Sequence, residues 1–290
     1  MSSAAGETTE LDSSPSLTRL YAQAVAAPVL PGGGDELPDR SLVLRDTSVD
    51  PDRVAAYARV CGFGVRSSAP GTYPHVMAFP LHMSLMTDRS FPFSILGLVH
   101  IGNRIEVSSP IPLGAGLDIA VRAEDLRPHR RGRQFDLVTE ADLDGATVWK
   151  ARTTYLHRES GADDEREPER EPGEQAESDL AVTAEWKVPG DTGRRYAAVS
   201  GDRNPIHMHA LSARLFGFPT AIAHGMWTKA RCLAAFEGRI AEPYAIEVEF
   251  MSPLRIPGRA RFLSGRRGDA WRFRVEARDG ARTHLVGSIG

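Results

Sequence analysis

The sequence predicts an α+β fold built twice along one chain. Three observations carry this. In each half, helical periodicity comes first and a run of strands follows. Short motifs recur in the same order in both halves. A strongly acidic stretch separates them. The chain has 290 residues and a mass of 31.6 kDa, a length that suits about two domains. Hydrophobic residues make up 41% and charged residues 25%, the balance of an ordinary globular protein.

Residues 1–16 are small and polar, with Glu7, Glu10 and Asp12, and read as a disordered tail. The first domain is placed at 17–157. Within it Asp50-Pro51 starts a helix, because Asp caps free N–H groups and Pro suits the first turn. Val54, Tyr57 and Val60 then recur at helical spacing. A second helix is expected from near Pro80 through Leu81, Leu85 and Met86. Strands are expected at about 97–108, 116–126, 133–142 and 146–157, with Asp144-Gly145 as a hairpin turn. The segment Arg158–Asp179 holds ten acids against three Arg and has no large apolar residue. It reads as a solvated linker. The second domain, 180–290, repeats the pattern. A strand at about 182–188 leads to a short helix ending near Val199, another follows Pro205, and a longer one runs from about Met226 to Glu237. Strands at about 244–251, 259–265, 270–278 and 282–289 close the chain. Helices followed by an antiparallel meander wrap a sheet around one apolar helix.

The repeat is visible residue by residue. Tyr57-Ala58-Arg59-Val60-Cys61-Gly62 matches Tyr196-Ala197-Ala198-Val199-Ser200-Gly201. Pro74 to Leu81 can be laid on Pro219 to Met226. Ile105-Glu106-Val107 before Ser109-Pro110 resembles Ile246-Glu247-Val248 before Ser252-Pro253.

Charge and cysteine usage exclude several classes. The formal net charge is −3, against a strongly basic nucleic-acid binder. The linker carries −7 and the tail −3, so the two folded parts total +7. That excess suits an anionic ligand or carrier, or is solvated arginine. No apolar run reaches the ~18–20 residues of a membrane span, and residues 1–16 lack a secretory pattern. Two cysteines build no disulfide scaffold. Together these set a cytoplasmic protein with reduced thiols as the expectation. Cys61 and Cys232 read as packed thiols, and Met77, Met83 and Met86 as core fillers.

Two clusters hold the chemistry. Ser200-Gly201-Asp202-Arg203-Asn204-Pro205-Ile206-His207 lies between two helical segments. Gly201 and Asn204-Pro205 form turns, which puts Asp202 on a loop and His207 at a helix start. A carboxylate and an imidazole converging there suit proton transfer to and from a substrate carbon. Spacing alone equally allows a helix-capping Ser200 or Asp202 and a surface His207. The second cluster, Ala223-His224-Gly225-Met226, opens the longest helix of its half. Free N–H groups at a helix start can hold a developing oxyanion; a tight turn with a buried His224 is the plainer alternative. The first half has Cys61-Gly62-Phe63 and Phe79-Pro80 in the matching places. It therefore offers an apolar wall.

Tyr196-x-x-x-Ser200-Gly201-Asp202-x-Asn204-Pro205-Ile206-His207, with Gly217-Phe218 and Ile222-Ala223-His224-Gly225-Met226, resembles the signature of MaoC-like dehydratases, the (R)-specific enoyl-CoA hydratases. The first half, with Thr72-Tyr73-Pro74-His75 and the Phe91-Pro92-Phe93 stretch before Gly97-Leu98-Val99-His100, is similar to the non-catalytic half of two-domain (3R)-hydroxyacyl-thioester dehydratases. The resemblance implies a double hot-dog fold. It implies reversible hydration of trans-2-enoyl thioesters in fatty-acid metabolism, with acyl-CoA or acyl carrier protein as partner, no nucleic acid, no membrane, no cofactor and no metal. By position it puts the catalytic pair at Asp202 and His207. It gives the carbonyl-holding N–H to Gly225, a placing role to Asn204, and support to Ser200, Tyr196 and His224. Relatives pair their sheets, so the resemblance allows the two halves to pair within one chain, and a further homodimer stays open. Three alternatives remain: a hot-dog thioesterase, a non-catalytic acyl-thioester-binding subunit, and a metal site at His207-x-His209 with His224.

Overall fold

The computed structural model describes residues 6–26, 36–159 and 180–290. The first half begins with β1 (Glu7–Leu11), α1 (Leu17–Ala26), β2 (Arg40–Ser48), α2 (Pro51–Cys61) and α3 (Tyr73–Met86). A 3₁₀ turn at Ile95–Gly97 leads into β3 (Leu98–Val107), β4 (Gly116–His129), β5 (Gly132–Leu143) and β6 (Ala146–Arg158). The second half holds β7 (Ala181–Val188), α4 (Thr192–Ser200), α5 (Pro205–Met208), α6 (Ala210–Arg214) and α7 (Gly225–Ala234). It closes with β8 (Tyr244–Phe250), β9 (Gly258–Arg267), β10 (Ala270–Ala277) and β11 (Thr283–Ile289).

All described strands join one sheet in the order β1-β2-β4-β5-β6-β3-β8-β11-β10-β9-β7. Setting β1 aside, the order reads the same from both ends once each strand is replaced by its repeat. This is the double hot-dog: two half-sheets, each around its own helix, α3 and α7. The seam is the antiparallel pair β3–β8, where Ile105 faces Ile246. The isoleucines that open the two Ile-Glu-Val copies thus face each other, and both are fully buried. The seam carries a further tie. Lys229 of α7 is fully buried and donates to the Asn103 carbonyl of β3 and the Ile246 carbonyl of β8, both at 3.0 Å.

Local sequence explains most elements. Asp50 caps α2, its side chain accepting from the Asp52 and Arg53 N–H groups at 2.8 and 3.0 Å. Asp144 and Gly145 both take positive φ at the β5–β6 turn, as a tight hairpin requires. The core is continuous through both halves and includes Tyr57, Phe135 and Trp149 of the first and Phe236, Phe262 and Phe273 of the second. Cys61 and Cys232 are buried free thiols within it.

Three expectations change. Residues 7–11 of the supposed tail form β1, parallel to β2 with Glu7 opposite Arg40. Backbone pairing along an open sheet edge needs no apolar side chains. Helix α3 starts at Tyr73, so Phe79-Pro80 falls inside it and not at its start. Buried Tyr73, His75, Ala78, Leu81 and Leu85 hold the helix against the sheet despite the N–H that Pro80 lacks. Helix α1 and strand β2 were not foreseen. The expected linker, apart from residues 158–159, lies outside the described residues. Among these, no helix is long and apolar enough to cross a membrane.

Candidate active site

Helix α4 leads to Asp202. It ends at Ser200, and Gly201 follows in the left-handed conformation (φ 77°), which closes the helix. The chain then turns through Asp202, which lines the cavity. The Asp202 N–H donates to Ser200 Oγ at 3.2 Å, and Asp202 Oδ1 accepts from the Asn204 N–H at 3.1 Å. Asn204 in turn caps α5, accepting from the Ile206 N–H. Asn204 therefore shapes the loop that carries Asp202 and starts the helix that carries His207.

The histidines come from opposite sides of this loop. His207 is buried in α5, and its Nδ1 lies 2.9 Å from the Ile222 carbonyl. A carbonyl only accepts, so Nδ1 carries the proton and Nε2 keeps a lone pair. His224 precedes α7, and its Nε2 donates to the Asp202 backbone carbonyl at 3.0 Å. The same nitrogen is 3.7 Å from Asp202 Oδ2. The two imidazoles stack, with centroids 3.7 Å apart, and the Tyr196 ring leans on His224 at 4.8 Å. Side-chain ligand atoms of Asp202, His207 and His224 lie within 4.8 Å of one another. His209 is exposed at the end of α5, outside this cluster. The His207-x-His209 pairing of the metal reading therefore does not form: His209 leaves α5 in extended backbone while His207 stays buried.

Electrostatics fixes the charge states. Burial pushes the Asp202 carboxyl up, but His224, His207, the Asn204 N–H and the Tyr21 hydroxyl outweigh it and hold the group below the usual carboxylate range. Burial pushes the His207 imidazole down, against the pull of Asp202 and the Ile222 carbonyl. Burial and the neighbouring His207 bring His224 down to about 3. At neutral pH the site holds one carboxylate and two neutral rings.

Gly225 opens α7 beside this cluster. Its N–H belongs to the first turn and has no partner within the helix. A side chain there would collide with the Phe250 ring, whose nearest carbon is 2.9 Å from the place a Cβ would take. Asp202, His207 and Gly225 all line one cavity of about 1450 Å³. The first half supplies much of its apolar wall through Val76, Phe79, Met83 and Leu98.

One site residue escaped the sequence reading. Tyr21 of α1 donates its hydroxyl to Asp202 Oδ1 at 3.0 Å and accepts from the Arg203 N–H at 2.8 Å. It lies 181 residues from its partner. Helix α1 is seated on the first half by Leu17, Leu20 and Tyr21 against Phe79, Met83 and Ile95. Only an apolar spacing in residues 17–24 could have signalled it.

Comparison with known proteins places this geometry. The MaoC like domain family model matches residues 166–284. The chain is 36% identical over 273 residues to 3-hydroxyacyl-thioester dehydratase X of Mycobacterium tuberculosis, covering 93% of this chain and 95% of the relative. The chain belongs to the MaoC-like dehydratase family. Its reaction class is that of a hydro-lyase. The crystal structure of HtdX from the same organism superposes with a TM-score of 0.76 at 35% identity, covering 86% of this chain and 99% of that one. A MaoC-like dehydratase from Phytophthora capsici shares the fold, at a TM-score of 0.69 and 18% identity over 86% of this chain and 93% of its own. Among the described residues of this MaoC-like chain, the cluster of one carboxylate and two imidazoles lies in the second half. In the first half the residue after Gly62 is Phe63, stacked on Tyr57 with centroids 6.3 Å apart.

Proposed function

We propose that this chain catalyses the reversible syn addition of water to trans-2-enoyl thioesters, giving (3R)-hydroxyacyl thioesters, with acyl-CoA or an acyl carrier protein as the carrier. The observation that supports it is the meeting of an ionised Asp202 and a neutral His207 beside the first-turn N–H of α7, on one cavity wall. In this reading the thioester oxygen sits on the Gly225 N–H, which takes up the negative charge that develops as C3 is attacked. Water lies between the Asp202 carboxylate and His207 Nε2. Its oxygen bonds to C3, the pair takes one proton, and the pair returns a proton to C2. Water is thereby consumed, and Asp202 and His207 end as they began. No cofactor enters this balance. Ser200, Asn204 and Tyr196 act through the loop and through His224, and Tyr21 holds the Asp202 carboxylate from the other half.

The test is incubation with trans-2-enoyl-CoAs of four to sixteen carbons and chiral analysis of the product. The expected product is the (3R)-hydroxyacyl-CoA. Release of free CoA thiol would point to a thioesterase instead. Tight acyl-CoA binding without turnover would point to a binding subunit.

A further inference from the structure

The cavity wall contributed by the first half is not uniformly apolar. His75 of α3, His100 of β3 and Tyr155 of β6 all line it. Their rings form a connected group, His75 to His100 at 6.3 Å and His100 to Tyr155 at 5.0 Å. His100 also meets Phe250, the ring that packs over Gly225, at 4.7 Å. The group therefore begins one ring beyond the proposed carbonyl site. Asp202 is near enough for its charge to act on both His100 and Tyr155.

These groups hold unused hydrogen-bonding capacity. His100 Nε2 lies 3.1 Å from the Gly102 carbonyl, so it carries the proton and Nδ1 is left as an acceptor. His75 is 5% exposed, and its Nδ1 has no partner. Among the described residues no protein group bonds the Tyr155 hydroxyl. His100 and Tyr155 are half-buried and line the cavity, so a ligand that presents only hydrocarbon would displace water from both groups and leave them unpaired. Burial keeps both histidines neutral, which suits an uncharged partner.

We infer that His100 and Tyr155, with His75 stacked on His100, form a binding subsite for a hydroxyl group on the acyl chain, beyond the carbons that react. An alcohol oxygen accepts from the Tyr155 hydroxyl and donates to His100 Nδ1, matching one donor with one acceptor. A plain hydrocarbon chain satisfies neither. This rests on the reading of the cavity as an acyl-thioester site, and it narrows that reading to acyl groups bearing an alcohol.

The test separates the two. Binding of saturated hexanoyl-CoA and its 4-, 5- and 6-hydroxy isomers, measured by calorimetry, reads the subsite without turnover. Hydration of trans-2-hexenoyl-CoA reads the catalytic assignment. One hydroxy isomer is expected to bind about tenfold tighter than hexanoyl-CoA, the equivalent of about 1.4 kcal/mol, and Tyr155→Phe is expected to erase that preference. This outcome supports the subsite whether or not the enoyl substrate is hydrated. Equal affinity for all four ligands in the wild-type protein, or a preference that survives Tyr155→Phe, overturns it even if hydration proceeds.

Discussion

In the first half Cys61 is followed by Gly62 and Phe63; in the second, Ser200 is followed by Gly201 and Asp202. Both glycines close a helix in the left-handed conformation, at φ 82° and 77°. Both helices carry a core tyrosine, Tyr57 and Tyr196, and these rings meet across the pseudo-symmetric centre at 6.1 Å. The backbone device is the same, and what it delivers differs. The first copy turns out an aromatic ring that stacks on Tyr57. The second turns out a carboxylate, and α7 brings His224 and Gly225 against it. The central helices diverge in the same way: α3 begins with Tyr73-Pro74 and runs 14 residues, while α7 begins with Gly225 and runs 10. The same scaffold occurs twice, and under the proposed function one copy presents the reacting groups and the other a wall for the substrate.

This division can be broken first at the acid and base. Asp202→Asn and His207→Ala are each expected to lower turnover of trans-2-butenoyl-CoA by about 10²–10⁴-fold. Unchanged circular dichroism and melting would show that the fold is intact. Retention of near-normal turnover by either variant would remove that residue from the mechanism. Gly225→Ala comes next. Its methyl group would press on Phe250 and crowd the thioester oxygen, and a loss of about 10²-fold in kcat is expected, read by steady-state kinetics.

Acid stability addresses both halves at once. His75, His82 and His100 in the first half, and His207, His224 and His284 in the second, are all held below the ordinary histidine range chiefly by burial. The unfolded chain takes up protons near pH 6.5 that the folded chain refuses, so stability is present above that pH and falls as pH drops. For His82, His100 and His224, brought down to about 3, the cost is about 2 kcal/mol each between pH 6.5 and 5. Urea unfolding at pH 7 and pH 5 should show the loss in a single transition, since one sheet spans the halves. Two separate transitions would mean that the seam does not couple them.

A smaller effect is expected where the first half reaches into the site. Tyr21→Phe removes one hydroxyl and one hydrogen bond to Asp202. It is expected to lower kcat about tenfold, or about 1.4 kcal/mol, with little change in KM. Tyr21 helps hold the Asp202 carboxyl down, so the acid limb of the kcat profile should move to higher pH. An unchanged profile would make Tyr21 a packing residue only.

Much of this was legible in the sequence, for identifiable reasons. The strand positions followed from alternation and from turns such as Asp144-Gly145, whose positive φ few other pairs accept. The loop from Ser200 to His207 was legible because Gly201, Asn204 and Pro205 dictate local turns, and local turns fix where Asp202 and His207 point. The resemblance supplied the role of Gly225. What stayed hidden was long-range. Tyr21 sits in an unremarkable apolar spacing, and nothing nearby indicates a partner in another domain. Strand β1 owes its order to an edge that exists only once the sheet has formed. The start of α3 was missed because Pro80 signals a helix start locally, while burial of Tyr73 and His75 extends the helix upstream.

The most direct test follows from the acid and the base sharing one wall. Hydration of trans-2-butenoyl-CoA in D₂O, with the product resolved by NMR, reports which faces receive the hydroxyl and the hydrogen of water. A single deuterium on C2, on the same side as the new C3 oxygen in a (3R) product, is what the shared wall requires. Addition from opposite sides, or an (S) alcohol, would contradict it.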